Sequence, residues 1–424
     1  PVAERRPSLD RYAAPRAEEA PVPAAAPPAP HRLTTLRPRA YNAARALGAD
    51  VDLRLPGGNS ARPLTSDFPQ KGEMILQRAR PVLLETPMDV FQHNLYTPND
   101  RFYVRWHWSD MPTSIDVDQY RIAIGGHVER PLSISLAQLL RMPRVELAAV
   151  NQCSGNSRGL FEPRVPGAQW GHGAMGNAKW MGVSLRHLLD LAGVRGGAVA
   201  VRIGALDKPL VEGAPAFEKA LGIDHARGGE VMLAFAMNGE QLPLLNGFPV
   251  RLVVPGWYST YWMKTVNTIE VLTAPDDRYW MAKAYKIPDT PRAHVAPGTK
   301  DFPTVPINRM NPRSWITSIA DGASYGYDPV LPVEGIAMGG DRGVARVEIS
   351  GNGGRTWEPA TLGREDDRYG FRRFTARIGV PRPGRVQVMA RCTNTAGETQ
   401  PMEANWNPGG YMRNCVEPVT VALT

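Results

Sequence analysis

Val150-Asn151-Gln152-Cys153-Ser154-Gly155-Asn156-Ser157-Arg158 decides how this chain is read. The apolar run from Val145 to Val150 predicts a strand. The Ser, Gly and Asn that follow break it into a turn whose amide hydrogens point outward. A cysteine at a strand end, ahead of such a turn and with Arg158 close behind, sits in electropositive surroundings. Those surroundings favour thiolate, the form that ligates a soft metal or attacks an electrophile. The alternative for a lone cysteine is a small buried hydrophobe.

Working outward, the chain of 424 residues is long enough for two or three domains with their own cores. Its 41 glycines and 40 prolines favour short strands and many loops over long helices. No apolar run approaches the length of a membrane helix. The formal charge is +8, but the basic residues are scattered among acidic ones, so it describes a surface and not a nucleic-acid-binding stripe. Cys153 stands alone, whereas Cys392 and Cys415 could pair in an oxidising compartment or remain two buried thiols on strands. No CxxC or Cys/His cluster points to structural zinc or a conventional iron–sulfur site.

Residues 1–45, rich in Ala, Pro and Arg, are expected to be a flexible segment. Arg5-Arg6 resembles part of a twin-arginine signal, but no apolar stretch follows it. Residues 46–302 are expected to form a catalytic domain. Within it, Asp100 to Trp108 reads as an alternating aromatic strand with Tyr103, Arg105 and His107 on one face. Tyr120–Val128, Pro131–Ile134, Val199–Gly204, Glu230–Met237, Phe248–Val254 and Val266–Leu272 read as strands. Leu136–Arg141 and Leu185–Leu191 read as helices, the second ended by Gly193, and Ala216–Leu221 as a helical turn. Residues 303–424 carry short strands at turn-separated intervals, the pattern of an antiparallel β-sandwich.

Cys-x-Gly-Asn-x-Arg after an apolar strand resembles the molybdenum-binding segment of the sulfite oxidase family. Further segments follow in that family's order: Arg105-Trp106-His107, Gly204-Ala205-Leu206-Asp207, Met237 to Pro243, Gly247 to Gly256, Lys264, Tyr285-Lys286 and Asn352 to Trp357. The resemblance spans about Ile75 to the C-terminus. It implies an α+β fold: a mixed, mostly β molybdopterin-binding core followed by an immunoglobulin-like sandwich that commonly makes a homodimer contact. It also implies molybdenum held by a pterin dithiolene, with Cys153 supplying the protein sulfur and no haem in this chain.

In that scheme the substrate is sulfite, and the electrons pass singly to a c-type cytochrome. Arg105 and Arg158 match positions that shape the anion pocket, and a guanidinium suits an oxyanion because its planar fork donates two parallel hydrogen bonds. His107, on the Arg105 face, tunes the pocket, orients the pterin, or is merely structural. Tyr285 matches the family's active-site tyrosine, able to relay a proton. Arg251 and Lys264 are expected to anchor the pterin phosphate, because an arginine within an apolar strand needs an anionic partner, here the phosphate or a buried carboxylate. Asn246 stands where many relatives have histidine. Asp207 matches a pterin-contacting position, or caps its own turn. One departure is Gly409, where many relatives place a pocket arginine; either Arg413 substitutes from nearby or the pocket has one cation fewer.

A molybdopterin reductase acting on nitrate, sulfoxide or an oxidised protein side chain could use the same cysteine. A cofactor-free β-rich binding module would explain the C-terminal half but not the ordered core motifs. The family's bacterial members often lie in the periplasm, which makes an exported chain with its signal removed the expected setting.

Overall fold

The computed structural model describes residues 50–424. The expectations for the first 45 residues and for Arg5-Arg6 therefore lie outside the described residues. The chain is mostly β, with 37% strand and 11% helix. No helix among the described residues is long and apolar enough to cross a membrane.

The strand Val145–Gln152 forms as read, because every residue from Ala148 onward is buried. It pairs antiparallel along its whole length with Met175–Ser184, which pairs in turn with Met232–Met237. Arg251–Val253 and Glu240–Gln241 complete that sheet. A second sheet runs in the order Lys219–Gly222, Ala200–Ala205, Val266–Leu272, Arg121–Gly126 and Leu132–Ser135, with Val266–Leu272 parallel to Arg121–Gly126. The amphipathic helix Leu185–Ala192 buries Leu185, Leu188, Leu189 and Ala192 and ends at Gly193, whose φ of 71° suits the left-handed cap. A third sheet joins Asp50–Asp52, Ala61–Thr65, Met74–Arg78, Leu83–Glu85 and Val104–Arg105 in order.

The C-terminal part is a β-sandwich. One sheet holds Arg313–Ile316, Val330–Met338, Arg372–Gly379 and Thr361–Leu362; the other holds Ser324–Tyr325, Val419–Leu423, Gly384–Asn394, Val344–Ser350 and Glu358–Pro359. Val333 and Phe374 of the first sheet meet Val347, Val388 and Cys392 of the second in one apolar cluster. Trp315, Ile336, Met338, Tyr369 and Phe371 instead join the larger cluster that contains Val150, Cys153 and Trp180. Val150 N donates to the Tyr369 carbonyl at 2.9 Å, so the sandwich touches the strand that carries Cys153.

Several expectations are corrected. Ala216–Leu221 is no helical turn: Lys219–Gly222 is an edge strand paired with Ala200–Ile203. Of Asp100–Trp108 only Val104–Arg105 is strand, and Asn99–Arg101 is a 3-10 turn. Phe248–Val254 pairs only over Arg251–Val253, with Pro249, which lacks an amide hydrogen, just ahead of it. Cys392 and Cys415 are free, buried thiols, and Cys415 lies in a loop, not on a strand. Burial pushes both thiols up, to about 12 for Cys392 and about 11 for Cys415.

Candidate active site

A cavity of about 570 Å³ opens where the three N-terminal sheets meet, lined by Cys153, Arg105, His107, Asp207, Asn246, Arg251, Lys264 and Tyr285. Eight of the nine sequence-derived site residues thus converge; Arg158 alone does not line it. Tyr103, Asn151, Phe217 and Thr260 line it as well.

The loop that follows the strand Val145–Gln152 is held rigidly. Cys153 N donates to Ala174 O, Asn156 N to Cys153 O, Ser157 N to Gly171 O and Arg158 N to Gly155 O, at 2.7–2.9 Å. Four of the amides expected to point outward are therefore engaged, two within the loop and two by the carbonyls of Gly171 and Ala174. Ser157 sits at φ 66°, and its hydroxyl meets His172 Nδ1 at 2.7 Å and accepts from Arg313 Nη2 at 2.7 Å.

Arg105 follows Leu83–Glu85 in the third sheet, which aims its side chain into the cavity. Its Nη1 is buried with no hydrogen-bond partner among the described residues, as are Asn151 Nδ2, Arg251 Nε and Thr260 Oγ1. Lys264 donates to the Arg105 carbonyl and lies 4.4 Å from the centre of the Trp106 ring. Burial, with Arg251 and Arg105 nearby, holds the Lys264 amine well below the usual lysine range, and Asp207 opposes them. Burial likewise brings Arg251 down to about 10 and lifts Asp207 to about 6. Arg251 donates to Asn246 O at 2.9 Å and lies 5.0 Å from the Trp180 ring centre.

Tyr285 has φ 54°, an uncommon backbone conformation for an aromatic residue and one that marks a constrained site. Its hydroxyl meets His107 Nε2. The His107 ring stacks on Phe217 at 3.3 Å. Burial first, then Arg105, Lys264 and Lys219, keep the imidazole well below its ordinary value and therefore neutral. Burial raises the Tyr285 phenol.

Asn246 turns partly away from the cavity: its Oδ1 accepts from Lys71 Nζ, and its Nδ2 donates to Tyr103 O at 3.1 Å. Lys71 also donates to Asn99 O and Phe102 O at 2.7 and 2.9 Å, one acceptor for each ammonium hydrogen. Burial still draws its amine down to about 7. Sequence reasoning missed Lys71 because Gln70-Lys71-Gly72 reads as an ordinary polar turn.

Arg158 is penned by backbone. A Cβ at Gly155, Gly167 or Gly410 would lie 2.5–2.8 Å from its side chain, its Nε donates to Gly409 O at 3.1 Å, and its guanidinium carbon lies 5.1 Å from the Tyr411 ring centre. Arg413 does not take the place of the arginine missing at 409. It pairs with Glu417, contacts Cys415 Sγ at 2.9 Å and lies over Phe161. Burial beside that carboxylate, away from the cavity, is the reason.

Residues 108–280 match the oxidoreductase molybdopterin binding domain, and residues 304–423 match the Mo-co oxidoreductase dimerisation domain. The sulfite oxidase of Arabidopsis thaliana is 26% identical over 400 residues, covering 87% of this chain and 99% of its own length. That of Gallus gallus is 33% identical over 318 residues, covering 71% of this chain and 66% of its own. The chain belongs to the sulfite oxidase family. The solved sulfane dehydrogenase SoxCD of Paracoccus pantotrophus shares the fold, with a TM-score of 0.67, 24% identity, and coverage of 81% of this chain and 87% of that one.

As a member of the sulfite oxidase family the chain is a molybdopterin oxidoreductase, and molybdenum-molybdopterin is its cofactor. The cavity fits such a group. Arg105, Arg251 and Lys264 converge on it while Asp207 is its lining carboxylate, and two of those cations carry buried, unpartnered N–H groups. Buried cations in that imbalance call for an anionic, acceptor-rich guest. Among the described residues no group of His, Cys, Asp and Glu is arranged to hold a metal ion.

Proposed function

We propose that this protein oxidises sulfite to sulfate with water as the oxygen source, releasing two protons and two electrons that pass singly to an external c-type cytochrome. When bound, the molybdenum cofactor supplies the oxygen-atom and electron chemistry that no side chain provides. The observation that carries the reading is the meeting of Cys153, an excess of buried cations and the Tyr285–His107 pair on one cavity.

In this reading Cys153 Sγ is the protein's metal ligand, fixed by the hydrogen bonds of its loop. Arg251 and Lys264 hold the pterin phosphate, with Asn246 bearing on Arg251 through its carbonyl and Asp207 accepting from the ring N–H groups. Arg105 holds the sulfite dianion from the cavity wall, and Arg158, which does not line the cavity, is assigned to the same anion by its place in the Cys-x-Gly-Asn-x-Arg segment. Tyr285 Oη lies against a neutral imidazole, so His107 Nε2 can accept from it or donate to it. The pair can thereby hold a proton at either atom as sulfate leaves and water enters. The chain works in the periplasm, and residues 303–424 join two copies.

Purified protein from a cofactor-competent host tests this. The expectation is about one molybdenum and one pterin per chain and sulfite-dependent reduction of cytochrome c, with nitrate and sulfoxide not reduced by a dye donor. Protein that holds molybdenum but leaves sulfite untouched would refute the substrate assignment.

A further inference from the structure

Tyr411 occupies a position that no motif marks. Its segment is fixed by its own hydrogen bonds: Tyr411 N donates to Asn407 Oδ1 at 3.0 Å, and Asn407 Nδ2 and Asn405 Nδ2 donate to the Tyr411 carbonyl at 2.9 and 3.2 Å. Met412 N donates to Ser154 O at 3.0 Å, tying this segment to the residue after Cys153. The Tyr411 ring lies nearly parallel to Tyr285, with centroids 5.6 Å apart and 20° between planes, and the Arg158 guanidinium also lies over it. Gly409 is small for a reason: a Cβ there would lie 2.5 Å from two atoms of this ring. Arg158 therefore has glycine backbone at Gly155, Gly167 and Gly410, a carbonyl on Nε, and the Tyr411 ring against its plane.

An arginine held in this way presents its fork without first giving up side-chain freedom when an anion arrives. A guanidinium on an aromatic face also stays charged and only weakly hydrated. We propose that Tyr411 is the positioning residue for Arg158 in oxyanion recognition, acting through the face of its ring and not through its hydroxyl. The proposal rests on reading Arg158 as an anion ligand.

Two measurements on molybdenum-loaded enzyme test it: steady-state sulfite kinetics, and calorimetric titration with sulfate as the probe anion. Tyr411→Leu should raise KM about tenfold and leave kcat within about twofold, with sulfate binding weakened by the same factor. Tyr411→Phe, which keeps the ring, should restore both to within about twofold of the native enzyme. Gly409→Ala keeps the tyrosine but pushes its ring aside, and should reproduce the Leu phenotype even if Tyr411→Leu fails to load metal. Native sulfate affinity in both Tyr411→Leu and Gly409→Ala, or a Phe variant as impaired as Leu, overturns the proposal. Native enzyme that binds sulfate but does not oxidise sulfite overturns the function above and leaves this inference to the titration.

Discussion

At the scale of single residues, the site is built from side chains that are chemically out of place, and those are the ones a sequence reveals. Arg251 in an apolar strand, Arg105 among aromatics and Cys153 at a strand end each stand out, and the cavity gathers all three. Lys71, Tyr411 and the glycines around Arg158 do not stand out, because their work depends on what the chain brings to them from far away. Cys153→Ser is nearly isosteric and its Sγ makes no hydrogen bond among the described residues, so the variant should unfold within about 1 kcal/mol of the native protein while losing turnover. Native turnover in that variant would take Cys153 out of the site. Arg105→Met separates binding from stability. With Nη1 unpartnered and buried, its loss should raise KM for sulfite by more than about tenfold. It should also raise the melting temperature of the cofactor-free protein, because a buried cation with an unpartnered N–H is gone. A lowered melting temperature would show that the guanidinium is held by a partner in the cofactor-free protein.

Elements whose two faces differ were legible to within a residue or so, and of the buried ones the short apolar run Ala200–Ala205 was legible while the glycine-bearing Met175–Ser184 was not. Val266–Leu272 and Leu185–Ala192 were read almost to the residue, because a buried face alternates with a wetter one at the proper period. Met175–Ser184, the longest strand of the site sheet, went unread. It is a central strand between Val145–Gln152 and Met232–Met237, and most of its residues on both faces are buried, Lys179 excepted, so the alternation disappears. Its glycines, which read as turn signals, are demanded by close approach: a Cβ at Gly176 would lie 2.5 Å from the Phe102 ring, and one at Gly182 would lie 2.1 Å from the Leu233 carbonyl oxygen. The second contact is with backbone inside a paired strand and cannot be relieved by a rotamer change. Gly182→Ala should therefore cost about 3 kcal/mol or more in urea unfolding, against a few tenths for an alanine at the open Gly196. An equal effect at both positions would mean that the sheet yields there. Lys219–Gly222, an edge strand, was hidden for a different reason: Lys219 and Ala220 pass for helix formers.

For the molecule as a whole, the excess of buried cations becomes a dependence of stability on pH. Lys71 and Lys219 are both brought down to about 7 by burial, from an ordinary 10.5, and Lys264 lies well below the usual range for the same first cause. Between pH 7 and 10 the unfolded chain keeps protons on these amines that the folded chain has lost, so the unfolded state binds more protons and stability must rise with pH. From pH 7 to pH 9 the gain is about 2 kcal/mol for each of Lys71 and Lys219 as an upper figure, since a shift of one unit is worth about 1.4 kcal/mol. The acid side is less informative because signs oppose. His107 and the His172 imidazole, drawn down to about 4 chiefly by burial, lose stability as pH falls, whereas Asp207 and Glu85, both raised by burial, gain it. An anionic cofactor in the cavity restores the charged form of the lysine nearest it, Lys264, and removes that amine's share of the slope. Urea unfolding at pH 7, 8 and 9 should accordingly show stability climbing with pH in cofactor-free protein, and climbing less steeply in molybdenum-loaded protein. A flat profile without cofactor would mean that water reaches these amines. Equal slopes with and without cofactor would mean that the cavity's positive charge is not what holds the guest.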